Sequence, residues 1–529
     1  MILTRIPIIL ILMFLLAACS NGGGSGGGSK SNDSESAGTE EVQVTESAGT
    51  EEVQVAESME RLSDEDFNAL TEEDKLGVSN KVMGALFKGV AADEFFNLGA
   101  GVAALDLQTS ENYVTKIEKD LSKSVNENSY RSLIKQKYEF DEKQEPIQYQ
   151  LALLYEMPLS KNYFEIWMAY QLTNTILFSP AVELDTVAYE DARRVFERVL
   201  SGIRRGNSIR RIVYDHMISQ ENWRRFRSPE DNTREMMEIF LKRFNDAEVP
   251  LAAMACKNWS LEEDDDEYLL IIGPETNTEP VQILETTVTE CTEFYQAVAD
   301  HADLIPTVVS TLVDIFFYGY PPEDKTRIVD DIVEDNPVTF NDVLQNILFS
   351  KEFLMNVERS KSFEEVFFSL SDRLDWYANK SFFKNLNRIS SSSNFPSLNN
   401  MKQAAMTYKL GRPAHIPLDT LSFAFFHKAV RERLLIDRKG NPDNNNDGGW
   451  QESLLDVNLM QDDFIDYLFL TVLSRNATEG ELTELNAIIA ERGFNRTDRK
   501  MQQAMIVLDY LSRLSELYHT RPFEKEEQE

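Results

Sequence analysis

The stretch Ser228-Pro-Glu-Asp-Asn-Thr-Arg-Glu-Met-Met-Glu-Ile-Phe-Leu-Lys-Arg-Phe244 shows most plainly how this chain folds. Ser228 can cap the amides of a first helical turn, Pro229 suits a position that needs no donor, and Asp231 stands where a capping box takes an acidic residue. An apolar row follows at helical spacing: Met236, Met237, Phe240, Leu241 and Phe244. The stretch predicts a helix that begins after Ser228 and packs inward.

A polar amide lies in the same row, because Asn232 precedes Met236 by one helical turn. A buried amide needs hydrogen-bond partners, and a buried polar cluster is a candidate functional site. The candidate site residues are Asn232, Arg234, Glu235 and Glu238. No reaction follows from them, so the sequence leaves open whether the protein is an enzyme.

The composition is that of a large globular protein with a strong acidic excess. Hydrophobic residues make up 42%, and 89 Asp and Glu face 53 Lys and Arg, for a net charge of −36. Nucleic acids and anionic lipid surfaces attract a basic face, so we expect no nucleic-acid partner. We also expect no cofactor, because His-x-x-x-His, Cys-x-x-Cys and Gly-x-Ser-x-Gly patterns are absent from the sequence.

The N-terminus predicts where the protein is found. Arg5 precedes the apolar run Ile6–Leu16, which is too short for a comfortable membrane span, and Leu16-Ala-Ala-Cys19 follows. This pattern resembles the lipobox of bacterial lipoproteins, with a signal peptide over 1–18 and a lipid, such as palmitate, on Cys19. A secretory leader that happens to contain a cysteine is the alternative. Because Ser20 and not Asp follows Cys19, we expect anchoring in the outer membrane of the cell envelope, not in the inner membrane.

Composition also divides the rest of the chain. Residues 19–60 are a predicted tether, with a Gly/Ser spacer and a repeated acidic unit that cannot form a core. Residues 61–389 read as the main helical domain and 390–400 as a Ser/Asn-rich linker. Residues 401–529 read as a C-terminal helical part that packs on the main domain.

The predicted fold class is all-α, a large multi-helix domain with one small inserted β-hairpin at about 268–285. Its strands are Tyr268–Ile272 and Val281–Leu284, joined through Gly273 and Asn277. The acidic run Glu262–Glu267 before them is predicted to be a solvated turn.

With these segments placed, the chain resembles the exported bacterial domain-of-unknown-function family eighteen-hundred. The resemblance is carried by separated motifs: Ser208-Ile-Arg-Arg-Ile-Val-Tyr-Asp, Asn232-Thr-Arg-Glu-Met-Met-Glu-Ile-Phe, Trp259, His301-Ala-Asp-Leu-Ile-Pro, Leu348-Phe-Ser-Lys-Glu-Phe and Gly448-Gly-Trp450. It implies no agreed activity. It does imply a sulfatase-like envelope partner, because members are often encoded beside such a protein. Members commonly carry a His-Asp pair in the hairpin, where this chain has Glu275-Thr-Asn277.

Three further patterns have both a functional and a structural interpretation. His216 shares a face with Ile209 and Ile212, which favours a packed, satisfied core histidine over a catalytic base; His427, after an apolar run, reads likewise. Eleven arginines and no lysine lie between Arg193 and Arg234. They suit either an anionic envelope ligand or pairing with neighbouring carboxylates, which is the expected state of charged helix faces.

The sequence also contains the first half of a calcium-binding loop, with Asp443, Asn445 and Asp447 as candidate ligands. The twelfth position of the loop requires Glu, and this chain has Leu454 there.

The remaining two cysteines predict a disulfide. Once Cys19 carries lipid, Cys256 and Cys291 are left in an exported chain, which meets oxidising conditions. The predicted strands between them return the chain toward its origin, so the two ends should meet. Two buried free thiols are the alternative.

Taken together, the sequence predicts a lipid-anchored envelope protein whose folded part is a binding or scaffolding module. An unrecognised envelope hydrolase, acting with a sulfatase-like partner on an anionic substrate, is the alternative.

Overall fold

We describe the protein from a computed structural model. The description covers residues 59–98, 102, 104–109, 111–143, 145–177, 189–243, 245–264, 267–378, 380, 383, 449–450 and 457–523. Several predictions lie outside these residues: the signal peptide with Cys19, the tether through residue 58, the linker 390–400, the calcium candidates Asp443, Asn445 and Asp447, and the side chains of Phe244 and His427.

Helices dominate this part of the chain, as predicted, and the fold class is all-α with a small β insertion. In chain order they are α1 (Asp64–Asn68), α2 (Glu72–Ala85), α3 (Ala92–Phe95), α4 (Tyr113–Ser122), α5 (Glu127–Lys137), α6 (Pro146–Glu156), α7 (Lys161–Thr173), α8 (Tyr189–Arg204), α9 (Ile209–Met217), α10 (Gln220–Arg225), α11 (Pro229–Leu241), α12 (Val249–Ala255), α13 (Cys291–Asp300), α14 (Leu304–Phe316), α15 (Pro322–Glu334), α16 (Phe340–Leu348), α17 (Phe363–Arg373), α18 (Gln461–Leu473), α19 (Glu479–Glu491) and α20 (Lys500–Leu511). None of the helices in the described ranges combines the length and hydrophobicity that a membrane crossing requires.

Side-chain caps fix where many of these helices begin. Thr339 and Thr478 form capping boxes: each threonine hydroxyl accepts from the backbone amide of the third helical residue. The carboxylate of that residue, Asp342 or Glu481, accepts from the backbone amide of the threonine. Ser228 begins α11 as predicted, with its hydroxyl accepting from the Asp231 amide at 3.1 Å.

The core is built around helices that are buried on every side. All residues of α7 from Tyr163 to Thr173 are buried, as are those of α2 from Lys75 to Ala85. The Trp167 indole of α7 donates to the Ala85 carbonyl of α2 at 3.0 Å, and Phe87 packs edge-on against Tyr170, with ring centroids 5.9 Å apart. Both helices therefore lie in the middle of the helical body, and each carries buried polar residues, such as Lys81 on α2 and Glu165 on α7.

Two small hairpins replace the single hairpin that the sequence predicts. β1 (Trp259–Asp264) pairs antiparallel with β2 (Glu267–Ile272), and β3 (Val281–Ile283) pairs antiparallel with β4 (Thr286–Val288). A third pair joins β5 (Trp376–Tyr377) to β6 (Gly449–Trp450). The inserted β region is therefore where the sequence placed it.

The predicted pairing within this region is wrong. The strand β2 does not pair with β3, because each strand finds a closer neighbour along the chain. Leu284 and Glu285 both have positive φ, 49° and 60°, so the chain reverses directly after β3 in a tight two-residue turn. The acidic run Glu262–Glu267 is not simply a turn, since its two ends belong to β1 and β2.

The C-terminal segment lies across α2 and α17. The Phe523 amide donates to the Met355 carbonyl at 2.7 Å, and the Thr520 amide donates to the Arg359 carbonyl at 2.8 Å. A side chain at Gly77 of α2 would collide with the Phe523 ring, so glycine is required for this close approach. The segment thereby covers the side of α2 that faces α17.

Candidate functional site

The predicted polar residue Asn232 lies in the interior of the protein. It is fully buried on α11, and its Oδ1 accepts from the Tyr295 hydroxyl of α13 at 2.7 Å. Trp259 packs against Tyr295 and against Trp223, with centroid distances of 5.9 and 5.4 Å. We call Asn232, Tyr295, Trp223 and Trp259 the Asn232 cluster. Burial raises the pKa of the Tyr295 phenol well above its usual value, so the phenol is a permanent hydrogen-bond donor.

The other members of the predicted site do not converge on Asn232. Glu235 is buried, whereas Arg234 and Glu238 are exposed to solvent. Successive helix positions point in different directions, so this motif divides between core and surface. Only Asn232 and Glu235 of the four predicted residues therefore belong to the interior.

A disulfide joins the segments that flank the two hairpins, as predicted. Cys256 follows α12 and Cys291 begins α13; their sulfur atoms are bonded, and their Cα atoms are 4.3 Å apart. The bond encloses β1 to β4 in one covalent loop. It lies beside the Asn232 cluster in sequence, since Trp259 and Tyr295 follow the two cysteines closely.

His216 is a buried core residue, as predicted, but it is not satisfied. It packs edge-on against Phe240 with ring centroids 6.4 Å apart, and its Nδ1 has no hydrogen-bond partner in the described part of the chain. Burial, assisted by the nearby Arg198, lowers the pKa of His216 to about 3. The imidazole is therefore neutral at physiological pH and packs as an apolar ring.

The arginine-rich segment is bound to carboxylates at several positions, which supports the paired-face interpretation. Arg224 and Asp191 form a buried ion pair, in which the Arg224 Nη1 donates to both carboxylate oxygens at 2.7 and 2.8 Å. Arg193 pairs with Glu197 at 2.6 Å, and Arg211 pairs with Asp215 at 2.9 Å. These guanidinium groups already hold anionic partners from the chain itself.

The structure has a second polar region, which the sequence did not predict. Two small adjoining cavities lie between α2, α17, α18 and the C-terminal segment. We call their joint space the cationic cavity. The two cavities share six lining residues: Asn80, Lys81, Lys361, Arg373, Val472 and Thr520. Each also has one acidic lining residue, Glu365 in the first and Glu516 in the second.

The three cations of this cavity hydrogen-bond only to neutral groups. The Lys81 ammonium donates to the Arg521 carbonyl at 2.9 Å, and Lys361 donates to the Leu517 carbonyl at 3.2 Å. Arg373 donates to the Val472 carbonyl at 2.8 Å and to the Ser369 hydroxyl at 2.6 Å. Among the described residues, no carboxylate oxygen lies within 4.0 Å of the charged nitrogens of these three side chains.

Their charges act on one another. Burial, together with the positive charge of Arg373, lowers the pKa of Lys361 to about 7. Burial likewise lowers the pKa of Arg373 to about 10 and places that of Lys81 well below its usual range. A buried cation without a counter-charge is unfavourable. The cavity therefore gathers three basic side chains inside a protein whose net charge is −36.

Sequence patterns could not reveal this cavity, because its residues come from positions 77 to 523. The one local hint is Gly89, where any side chain would collide with the Ser369 carbonyl and with Arg373, so glycine allows α17 to approach. Within the described ranges, no group of three or more His, Cys, Asp and Glu side chains is arranged to hold a metal ion.

Comparison of the chain with protein-family models, with curated proteins and with solved structures finds no match. The resemblance to the domain-of-unknown-function family eighteen-hundred therefore stays a prediction from the motifs quoted above.

Proposed function

We propose that this protein is a lipid-anchored cell-envelope protein whose helical body is a binding or scaffolding module for an envelope partner. The observation that carries the proposal is the Cys256–Cys291 disulfide. Disulfides of this structural kind form in oxidising compartments, which supports export of the chain. With two of the three cysteines bonded to each other, Cys19 is left to carry a lipid.

The Asn232 motif supports a binding or structural role over a catalytic one. Its amide oxygen is bonded to Tyr295, and Arg234 and Glu238 face solvent, so no set of convergent polar groups forms around it. The motif resemblance suggests a sulfatase-like envelope protein as the partner.

The anchor is tested by the substitution Cys19→Ala. We expect it to abolish labelling with a palmitate analogue and to release the protein from membranes, because a lipidated N-terminal cysteine is the proposed attachment. Density-gradient fractions of the parent should contain it with the outer membrane. Unchanged labelling and membrane retention in Cys19→Ala would contradict the proposal.

The partner is tested by cross-linking and co-purification of the native lipoprotein from envelope membranes. The control is the Cys19→Ala chain, which carries the same folded body without the proposed lipid. Recovery of one envelope protein with the parent and its reduction with the control would support the scaffold role. Recovery of the parent alone would argue against a stable protein partner.

A further inference from the structure

We propose that the cationic cavity is a binding site for a tetrahedral oxyanion, the chemistry of a phosphate or sulfate group. Lys81, Lys361 and Arg373 line it together from α2, from the residue before the cap of α17 and from the end of α17. The inference names a ligand class for the proposed binding module. It needs neither the lipid nor a protein partner, so the two proposals can fail separately.

Other buried cations of the same chain are paired with carboxylates. Arg359 is paired with Glu365, with a guanidinium nitrogen 2.9 Å from a carboxylate oxygen, and Arg224 is paired with Asp191. Buried charges in proteins are normally paired in this way. Although 89 acidic residues are available, the described part of the chain places none of their carboxylates within 4.0 Å of Lys81, Lys361 or Arg373.

A second observation is the number of donors that remain. Arg373 is only 7% exposed, yet its Nε has no hydrogen-bond partner among the described residues. The Lys81 ammonium has three donors and makes one hydrogen bond, to the Arg521 carbonyl. A desolvated donor without an acceptor is unfavourable. An oxyanion would supply both the missing acceptors and the missing negative charge.

A third observation is the geometry of those donors. They come from three places in the chain, α2, the residue before the cap of α17 and the end of α17, whereas a planar carboxylate is best held by one guanidinium fork with two parallel bonds. Lysine ammoniums are point charges that suit phosphate-like groups. Donors from separate elements therefore favour an anion with oxygens on several sides.

Access is provided beside the C-terminal segment. Glu516 and Arg521 line the cavity and have side chains 46% and 40% exposed, so the space reaches the surface there. Both are already in ion pairs, Glu516 with Arg475 at 2.7 Å and Arg521 with Asp74 at 3.0 Å. A small anion can enter past these pairs without breaking the core.

The test is calorimetric titration of the full-length protein with inorganic phosphate and inorganic sulfate at constant ionic strength set by chloride. Acetate is the planar comparison, and glycerol 3-phosphate reports whether the group belongs to a phosphate ester, such as a lipid head group, or is the free ion. We expect saturable binding of phosphate or sulfate at one site. Lys361→Met should weaken it by about tenfold or more, because one charge-assisted bond is lost.

Lys325→Met is the matched control, since Lys325 pairs with Asp314 at 3.1 Å far from the cavity lining. Arg373→Met removes the Nε donor together with the charge. If that variant does not fold, the comparison of Lys361→Met with the parent remains the test. Absence of saturable binding by the parent overturns the proposal, as does binding that Lys361→Met leaves unchanged. Acetate binding as tight as phosphate and sulfate overturns the tetrahedral preference.

Discussion

The Asn232 cluster and the cationic cavity are both polar regions inside the same helical body, but they are stabilised in opposite ways. In the cluster a neutral amide meets a neutral phenol at 2.7 Å, among indole rings and next to a disulfide. In the cavity Lys81, Lys361 and Arg373 hydrogen-bond to neutral acceptors only, and the Glu365 and Glu516 carboxylates that also line it form no ion pair with them. The cluster needs no counter-charge, although the buried Asn232 Nδ2 has no hydrogen-bond partner among the described residues. The cavity gains a directly bound counter-charge only when an anion is added.

The difference separates a polar residue kept for stability from polar residues kept for binding. Removing a neutral buried bond leaves its partner unsatisfied and weakens the fold. Removing one of several unpaired like charges relieves repulsion and desolvation. Substitutions in the cluster should therefore destabilise the protein, and a suitable substitution in the cavity should not.

The largest effect is expected from the disulfide beside the Asn232 cluster. The Cys256→Ser, Cys291→Ser double variant opens a loop whose ends are 35 positions apart. In the chain-entropy account this lowers the free energy of unfolding by roughly 3–4 kcal/mol. Urea unfolding of the oxidised parent and the variant measures the difference. Reduced parent should behave like the variant, and two titratable thiols per denatured, unreduced chain besides Cys19 would show that no bond forms.

A smaller loss is expected from Asn232→Leu. The Tyr295 hydroxyl would lose its acceptor at 2.7 Å in a fully buried position, which lowers the free energy of unfolding by about 1–3 kcal/mol. Arg234→Ala, two residues away on the exposed face of α11, is the control and should change it by less than about 0.5 kcal/mol. Equal thermal melts of Asn232→Leu and the parent would mean that the amide is not buried in solution.

These two regions also show what can be predicted from sequence. The Ser228 cap and the Met236–Phe240 row are local and periodic, so the start of α11 and the burial of Asn232 follow from neighbouring residues. The disulfide follows from cysteine count and compartment. The strand partners do not, because pairing depends on turns such as the one at Leu284 and Glu285, where positive φ occurs at residues that rarely adopt it.

The cationic cavity was beyond sequence reasoning for a different reason. Lys81 lies on α2, and Lys361 and Arg373 belong to another segment 280 or more positions later. Their meeting depends on how α2, α17 and the C-terminal segment pack. A charge that becomes buried only through tertiary packing leaves no periodic pattern.

The smallest expected effect is the dependence of the free energy of unfolding on pH that Lys361 causes. The Asn232 cluster, which contains no charged group, has no such dependence. Its pKa in the folded protein is about 7, below the usual value for lysine of 10.5. Protonation therefore favours the unfolded chain. The stability that Lys361 contributes is present above pH 10.5 and is lost as the pH falls through 7. The charged or titratable groups that face it are Lys81, Arg359, Glu365, Arg373, Glu516 and His519.

The free energy of unfolding of the parent should fall when the pH is lowered from 9 to 6. In Lys361→Met we expect this fall to be smaller by on the order of 1 kcal/mol, because methionine takes up no proton. Urea unfolding in low-salt buffer without phosphate or sulfate measures it at each pH. Lys325→Met, beside Asp314, should keep the slope of the parent. Adding inorganic phosphate should flatten the parent and leave Lys361→Met nearly unchanged, because an anion in the cavity compensates the charge that the variant lacks. Equal slopes for Lys361→Met and the parent would show that the ammonium is already neutralised in the native protein, and the contrast with the Asn232 cluster would not hold.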